Sequence, residues 1–197
     1  MLIKRWSLAL IAAVVMAGLP GCATTERTGY RVYTLEEGVA HMYIEYPAFM
    51  DITLVTLLKE ENYTMVDIYG PTARKERFKT HIWVTATHKE NAPQDPGVPA
   101  SEGLVVGRTM PGYRFIEQFS LEIAGFPAEE LAYFYYTART DYERDFLKLA
   151  PAPTVARYAY FINGQDVWTI GMTSFETTAE RDGLYFDHLI ETLKVLP

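Results

Sequence analysis

Apolar and polar residues alternate along most of the chain after position 30. That period of two predicts strands, because successive side chains of a strand point to opposite faces. Residues 30–35 and 39–46 flank Glu36-Glu37-Gly38 and predict a hairpin closed by Pro47. Residues 51–58 and 63–69 are rich in β-branched and aromatic side chains, with Glu60-Glu61-Asn62 between them. Residues 78–87 place Ile82, Val84 and Ala86 on one face and His81, Trp83, Thr85 and Thr87 on the other. Residues 113–123 and 129–138 are two further strands, separated by a turn at Gly125-Phe126-Pro127. The second carries Tyr133 and Tyr135 on one face and Phe134 and Tyr136 on the other. A strand apolar on both sides is covered on both sides. Residues 155–162 and 166–175 flank Asn163-Gly164, the strongest hairpin signal in the chain.

Helical signals are fewer. Thr140-Asp141-Tyr142-Glu143 fits a capping box and predicts a short helix that stops before Pro151. Thr177-Thr178-Ala179-Glu180 is a second capping box. It opens a C-terminal helix with Phe186, Leu189, Ile190 and Leu193 on one stripe. Gly183 weakens that helix by about 1 kcal/mol relative to Ala. Residues 88–112 break all periodicity, with Pro93, Pro96, Pro99 and Pro111 among Gly97, Gly103, Gly107 and Gly112. They read as the longest irregular stretch, a disordered segment or plain surface loop, with contact to a partner as the alternative. The sum is one α+β domain over residues 30–197. It has an antiparallel sheet of about six or more strands, with the C-terminal helix packed on one face.

The first 21 residues differ in kind. Lys4 and Arg5 precede an apolar run from Leu8 to Leu19, the layout of a secretory signal peptide. Leu19-Pro20-Gly21-Cys22 resembles the bacterial lipobox, with Pro20 in place of the usual Ala or Ser. The resemblance implies cleavage before Cys22, a diacylglycerol thioether on its sulfur and an N-acyl chain such as palmitate. Cys22 is the only cysteine, so no disulfide competes for it. Two or three acyl chains anchor stably where one binds marginally. Residues 22–29 then serve as a polar, flexible tether. The expected location is extracytoplasmic, on a bacterial membrane. Ala23 after the cysteine points to the outer membrane where a cell has two.

Charge changes the picture once the leader is removed. The whole chain carries 18 basic and 25 acidic side chains, net −7. Beyond residue 21 there are 16 basic and 25 acidic groups, net −9. An acidic domain is a poor binder of nucleic acid, whose phosphates require a basic surface. The expected partners are the membrane, through the anchor, and another envelope protein. Arg74-Lys75-Glu76-Arg77-Phe78-Lys79 is the one basic cluster, and Arg74, Lys75, Arg77 and Lys79 are candidate contacts for anionic headgroups or an acidic partner. Tyr133 and Tyr135, among 14 tyrosines, are candidates for an aromatic groove, since tyrosine combines an apolar ring with a polar tip.

Two stretches carry a family resemblance. One is Met42-Tyr43-Ile44-Glu45-Tyr46-Pro47. The other runs from Ala159-Tyr160-Phe161-Ile162 through Trp168-Thr169-Ile170 to Phe186-Asp187-His188-Leu189-Ile190-Glu191-Thr192-Leu193-Lys194. Between them, Ile123-Ala124-Gly125-Phe126-Pro127-Ala128 looks like that family's turn before a central strand. Together they resemble the Mog1/PsbP superfamily, including bacterial DcrB-like lipoproteins. The resemblance implies an α/β/α sandwich around a central antiparallel sheet. It also implies an accessory, adaptor or assembly role with no shared catalytic residues. One departure stands out: where many members place a helix, this chain has the Pro- and Gly-rich 88–112 stretch.

Catalytic signals are absent. No Ser sits in G-x-S-x-G, and no glycine run has the context of a phosphate loop. His41, His81, His88 and His188 show no metal-ligand spacing, and His81 and His88 point to opposite faces of one strand. Glu36-Glu37 and Glu60-Glu61 read as solvated turn acids. The expectation is a non-catalytic binding, adaptor or assembly module with no cofactor beyond its lipid. The alternatives are a carrier of an apolar or amphipathic small molecule, held between sheet and helix, and a hydrolase without a recognisable motif.

Overall fold

A computed structural model describes residues 29–36, 41–58, 62–70, 80–137 and 150–197. Seven strands form the main antiparallel sheet in the order β3-β4-β5-β9-β8-β7-β6. They are β3 (Asp51–Leu58), β4 (Tyr63–Tyr69), β5 (His81–His88), β6 (Arg114–Ile123), β7 (Phe126–Thr137), β8 (Ala152–Asn163) and β9 (Asp166–Phe175). A smaller sheet, β1-β2-β10, joins the first hairpin, β1 (Tyr30–Leu35) and β2 (Met42–Pro47), to the two-residue strand β10 (Lys194–Val195). The predicted hairpin therefore exists, but in a separate layer rather than in the main sheet. Two helices, α1 (Gly97–Arg108) and α2 (Ala179–Thr192), complete the described elements.

One face of the main sheet is the principal core. Cross-strand register lines up Ile68-Ile82-Met172, Val66-Val84-Ile170-Ala159 and Ala86-Trp168-Phe161-Ala128 on it. All are buried, along with Phe186, Leu189, Ile190 and Leu193 of α2 and Met42, Ile44 and Tyr46 of β2. The predicted α2 stripe thus meets the sheet and the small β layer together. Trp168 stacks on Phe161 at 5.3 Å between ring centroids, and each such buried ring contributes about 1.5–3 kcal/mol.

A charged network crosses this apolar layer. Arg157 of β8 donates through Nε to Glu130 of β7 at 2.6 Å and through Nη2 to Asp187 of α2 at 2.6 Å. Its guanidinium also lies over the Phe186 ring. Glu130 is 1% exposed, and burial raises its pKa despite the arginine beside it. Gly183 belongs here: a Cβ there would sit 3.0 Å from Arg157 Nη1. The glycine that weakens α2 in the sequence makes room for the arginine.

The start of α2 differs in detail from the predicted capping box. Thr178 occupies the N-cap but makes no capping hydrogen bond. Its hydroxyl donates instead to the buried Asp182 carboxylate at 2.8 Å, which also accepts from Thr80 at 2.6 Å. The β6–β7 turn also shifts. Ala124 (φ 53°) and Gly125 (φ 85°) form it, while Phe126 and Pro127 already pair with Ile123 and Glu122 as strand.

The largest correction concerns 88–112. The loop expected there contains α1, which lies against β7 and β8 on the opposite sheet face. Pro96 is the N-cap and Pro99 lies in the first turn, where a helix needs no backbone N–H. Asp95 accepts the Gly97 N–H at 2.8 Å. Ala100, Gly103 and Gly107 form the inward stripe, and the glycines are spacers rather than breakers. A Cβ on Gly107 would come within 3.0 Å of the Tyr133 ring, and one on Gly103 would overlap the Tyr160 hydroxyl. The chain does have the helix that its family resemblance called for, and the order is helix, sheet, then helix with small sheet. The short helix predicted at Thr140–Glu143 lies outside the described residues.

Candidate aromatic contact face

The second sheet face divides in two. Over β7 and β8 it is covered by α1, which buries Leu131, Tyr133, Ala156 and Tyr160. Over β4, β5 and β9 the side chains remain part-exposed: Tyr63, Met65, Tyr69, His81, Trp83, Thr85, Thr169 and Thr173. The contrast with the fully buried opposite face follows from strict alternation along each strand.

Strand register assembles an aromatic row from this half. Asp67, Trp83, Gly171 and Tyr158 are consecutive cross-strand partners on β4, β5, β9 and β8. Gly171 is the key. A Cβ there would overlap the Trp83 indole, so its absence lets the ring lie across β9 and reach Tyr158, edge-on at 5.5 Å. On the other side Trp83 meets His81 at 4.6 Å, and His81 stacks on Tyr69 at 4.2 Å with the rings nearly parallel. Tyr158 continues the row to Tyr133 and Tyr160 beneath α1. The exposed aromatics are therefore anchored to the packed interior.

Asp67 fixes the row from below. It is 3% exposed, and its carboxylate accepts from His81 Nε2 at 2.6 Å. Burial lowers the His81 pKa from 6.5, outweighing the opposing pull of Asp67. The imidazole is therefore neutral at pH 7, with its proton on Nε2, because a carboxylate only accepts. Burial and the Asp67 charge both raise the Tyr69 pKa, and burial raises that of Tyr158 further. These phenols stay protonated at neutral pH. Among the described residues the row itself presents rings and hydroxyls, with the Asp51–Arg31 ion pair at its Tyr69 end, a chemistry suited to desolvating contact.

The residues singled out in the sequence fall elsewhere. Cys22, Arg74, Lys75, Arg77 and Lys79 lie outside the described residues. Tyr133 is 2% exposed and Tyr135 half-buried, and both belong to the cluster packed with α1. His88 bonds Asp166 at 2.8 Å and His188 bonds Glu45 at 3.0 Å. The second contact joins the two stretches that carry the family resemblance. Among the described residues no three His, Cys, Asp or Glu side chains converge as a metal site would require. In the sequence His81 stands only as a weighed metal ligand, and Tyr69, Asp67 and Trp83 carry no candidate role. Their signal was an aspartate inside an apolar strand, beside a strand whose second face held His and Trp.

No protein-family model and no curated protein matches the chain. Solved structures do match. LpqN of Mycobacterium tuberculosis, involved in cell envelope biogenesis, superposes with a TM-score of 0.58 at 10% identity, covering 86% of this chain and 91% of its own. The Ran-binding protein Mog1p of Saccharomyces cerevisiae gives 0.54 at 11%, covering 85% and 95%. The cyanobacterial PsbP of Synechocystis gives 0.54 at 10%, covering 91% and 99%. At such identities the likeness establishes the fold, which is Mog1/PsbP-like.

Proposed function

We propose that this chain is an envelope lipoprotein whose domain acts as a non-catalytic binding or assembly module. The Tyr69–His81–Trp83–Tyr158 row is its contact face. Cys22 carries the acyl chains, and residues 22–29 tether the domain to the membrane, the outer one in a two-membrane envelope. The single observation that carries the binding role is the seating of Trp83. A glycine on β9 and the part-exposed His81, bonded to the buried Asp67, hold a large, part-exposed ring in place at the centre of an aromatic row. Interfaces draw most of their energy from a few such aromatic residues. The envelope role of LpqN and the Ran binding of Mog1p are in keeping with a protein-contact use of this fold.

The same packing favours surface contact over carriage of a small molecule. Gly103 and Gly107 bring α1 directly onto the tyrosines, and α2 closes on fully buried side chains.

The test is recovery of partners from solubilised envelopes by the lipidated protein, comparing the wild type with Trp83→Ala and with Leu184→Ala. Residue 184 is exposed on α2, away from the sheet face. A protein recovered by the wild type and Leu184→Ala, and lost with Trp83→Ala, supports the reading. Equal recovery by all three, or no recovery, contradicts it.

A further inference from the structure

A second surface lies at the far end of the sheet. β6 is the terminal strand of the seven, and no described strand pairs with its outer edge. It is ten residues long, and Arg114 to Ser120 are all exposed. Phe115 (52% exposed), Ile116 (47%) and Phe119 (41%) stand among them. A bulge between Phe115 and Glu117 interrupts the β7 pairing, so the regular ladder runs from Glu117 to Ile123. A free edge of this length is a template for another strand unless something blunts it.

Beside the edge runs a groove of about 610 Å³. Val98, Ser101, Glu102 and Val105, spaced as one face of α1, form its wall. Gln118 of β6 and Glu129 of β7 form its floor, and Asp95 closes one end. Glu129 accepts from Ser120 and Gln118, which holds its carboxylate on the floor. Asp95, Glu102 and Glu129 line this groove, and no basic residue among the described residues does. Glu117 and Glu122 add two more acids along the strand. Arg114, the strand's only base, pairs with Glu176 at 3.6 Å and stacks on Phe134.

We propose that the outer edge of β6 and the groove beside it dock an extended, basic segment of a protein partner, which adds to the sheet as an eighth strand. The segment's backbone would pair with Glu117–Ile123. Its Lys or Arg side chains on one face would meet Glu102, Glu129 and Asp95, and its apolar side chains on the other would cover Phe119. Charge decides between this occupant and a second copy of the chain. Two β6 edges side by side would crowd both copies' acidic side chains, Glu117 and Glu122 among them, along one seam, whereas a basic strand neutralises them. The surface is separate from the Trp83 face, and its success or failure leaves that reading untouched.

The test uses the full lipidated chain in non-ionic detergent and a short alternating Lys-Val peptide. The comparison peptides are its Glu-Val counterpart and a Lys-Val version with alternate backbone amides N-methylated. Hydrogen exchange and titration should show protection of 114–123 by the Lys-Val peptide alone. Glu102→Lys, at an exposed helix position, should weaken that binding by roughly fivefold, as when a surface attraction becomes a repulsion. Protection absent from 114–123 overturns the proposal. So does equal binding of the N-methylated peptide, which shows charge without strand addition. Concentration-dependent protection of 114–123 without peptide assigns the edge to a second copy and also overturns it.

Discussion

The Tyr160 hydroxyl lies where a side chain on Gly103 would begin, so α1 rests on β8 with a single atom's clearance. In an exposed helix, Gly→Ala stabilises by about 1 kcal/mol. Here the sign reverses. Gly103→Ala should destabilise the domain by about 1–3 kcal/mol in urea unfolding, through overpacking. Tyr160→Phe, which removes the offending oxygen, should recover part of the loss in the double variant. A stabilised Gly103→Ala would mean that α1 stands off the sheet.

The Arg157 network makes a second stability prediction. Arg157→Ala leaves Glu130 buried without its counter-charge and should cost about 3–5 kcal/mol. Replacing both, as Arg157→Met with Glu130→Leu, should restore much of that by denaturant midpoint. A double variant no better than Arg157→Ala would show that the Arg157–Asp187 contact is what holds α2 to the sheet.

His81 gives stability a pH dependence. Its folded pKa lies below the unfolded 6.5. Between those two values the unfolded chain binds a proton that the folded chain does not, so stability falls as pH falls through that window. Above 6.5 both states are neutral and the effect vanishes. His81→Gln should flatten this limb, and Asp67→Asn should lower the His81 midpoint further, because Asp67 pulls it upward. NMR titration of the imidazole checks both, and a midpoint above 6.5 would refute the buried neutral assignment. Glu130, with its pKa raised, acts in the opposite sense. Its charged form opposes folding, and that cost fades as pH falls through its folded value.

Gly171→Ala tests how the aromatic row is built. The methyl group would lift the Trp83 indole from β9 and part it from Tyr158. Only Trp83 and Trp168 lie beyond residue 21, and Trp168 is fully buried. Iodide quenching of the chain lacking residues 1–21 should therefore rise through Trp83 alone. Unchanged quenching would show that Trp83 does not lie on Gly171.

Much of this fold was legible because alternation is a strong signal when one face is buried. Ile82, Val84 and Ala86 against His81, Trp83 and Thr85 separated the two sheet faces correctly. Asn163-Gly164 marked the β8–β9 hairpin to within one residue, and Phe186, Leu189, Ile190 and Leu193 marked the buried stripe of α2. Helix α1 escaped because its inward stripe is Ala100-Gly103-Gly107 rather than apolar. Val98, Val105 and Val106 face out, so the usual amphipathic pattern is inverted. Glycine as a close-contact spacer and glycine as a breaker look alike until the opposing tyrosines are known. The contact face was missed for a similar reason. Tyr133 and Tyr135 were conspicuous in sequence yet lie with α1, whereas Trp83 matters through a glycine 88 positions away.

The anchor has its own test. Cys22→Ala should leave the leader uncleaved or release the protein from membranes, read by mass and by detergent partitioning. Unchanged mass and partitioning would contradict lipidation.

Photocrosslinking from position 83 in intact cells tests the central claim most directly. A benzoyl-phenylalanine in place of Trp83 should yield one discrete adduct with an envelope protein. A matched probe in place of the exposed Leu184 should not, and Cys22→Ala should abolish the adduct by releasing the domain from its membrane. Adducts of equal yield from both positions, or none from position 83, would contradict the account.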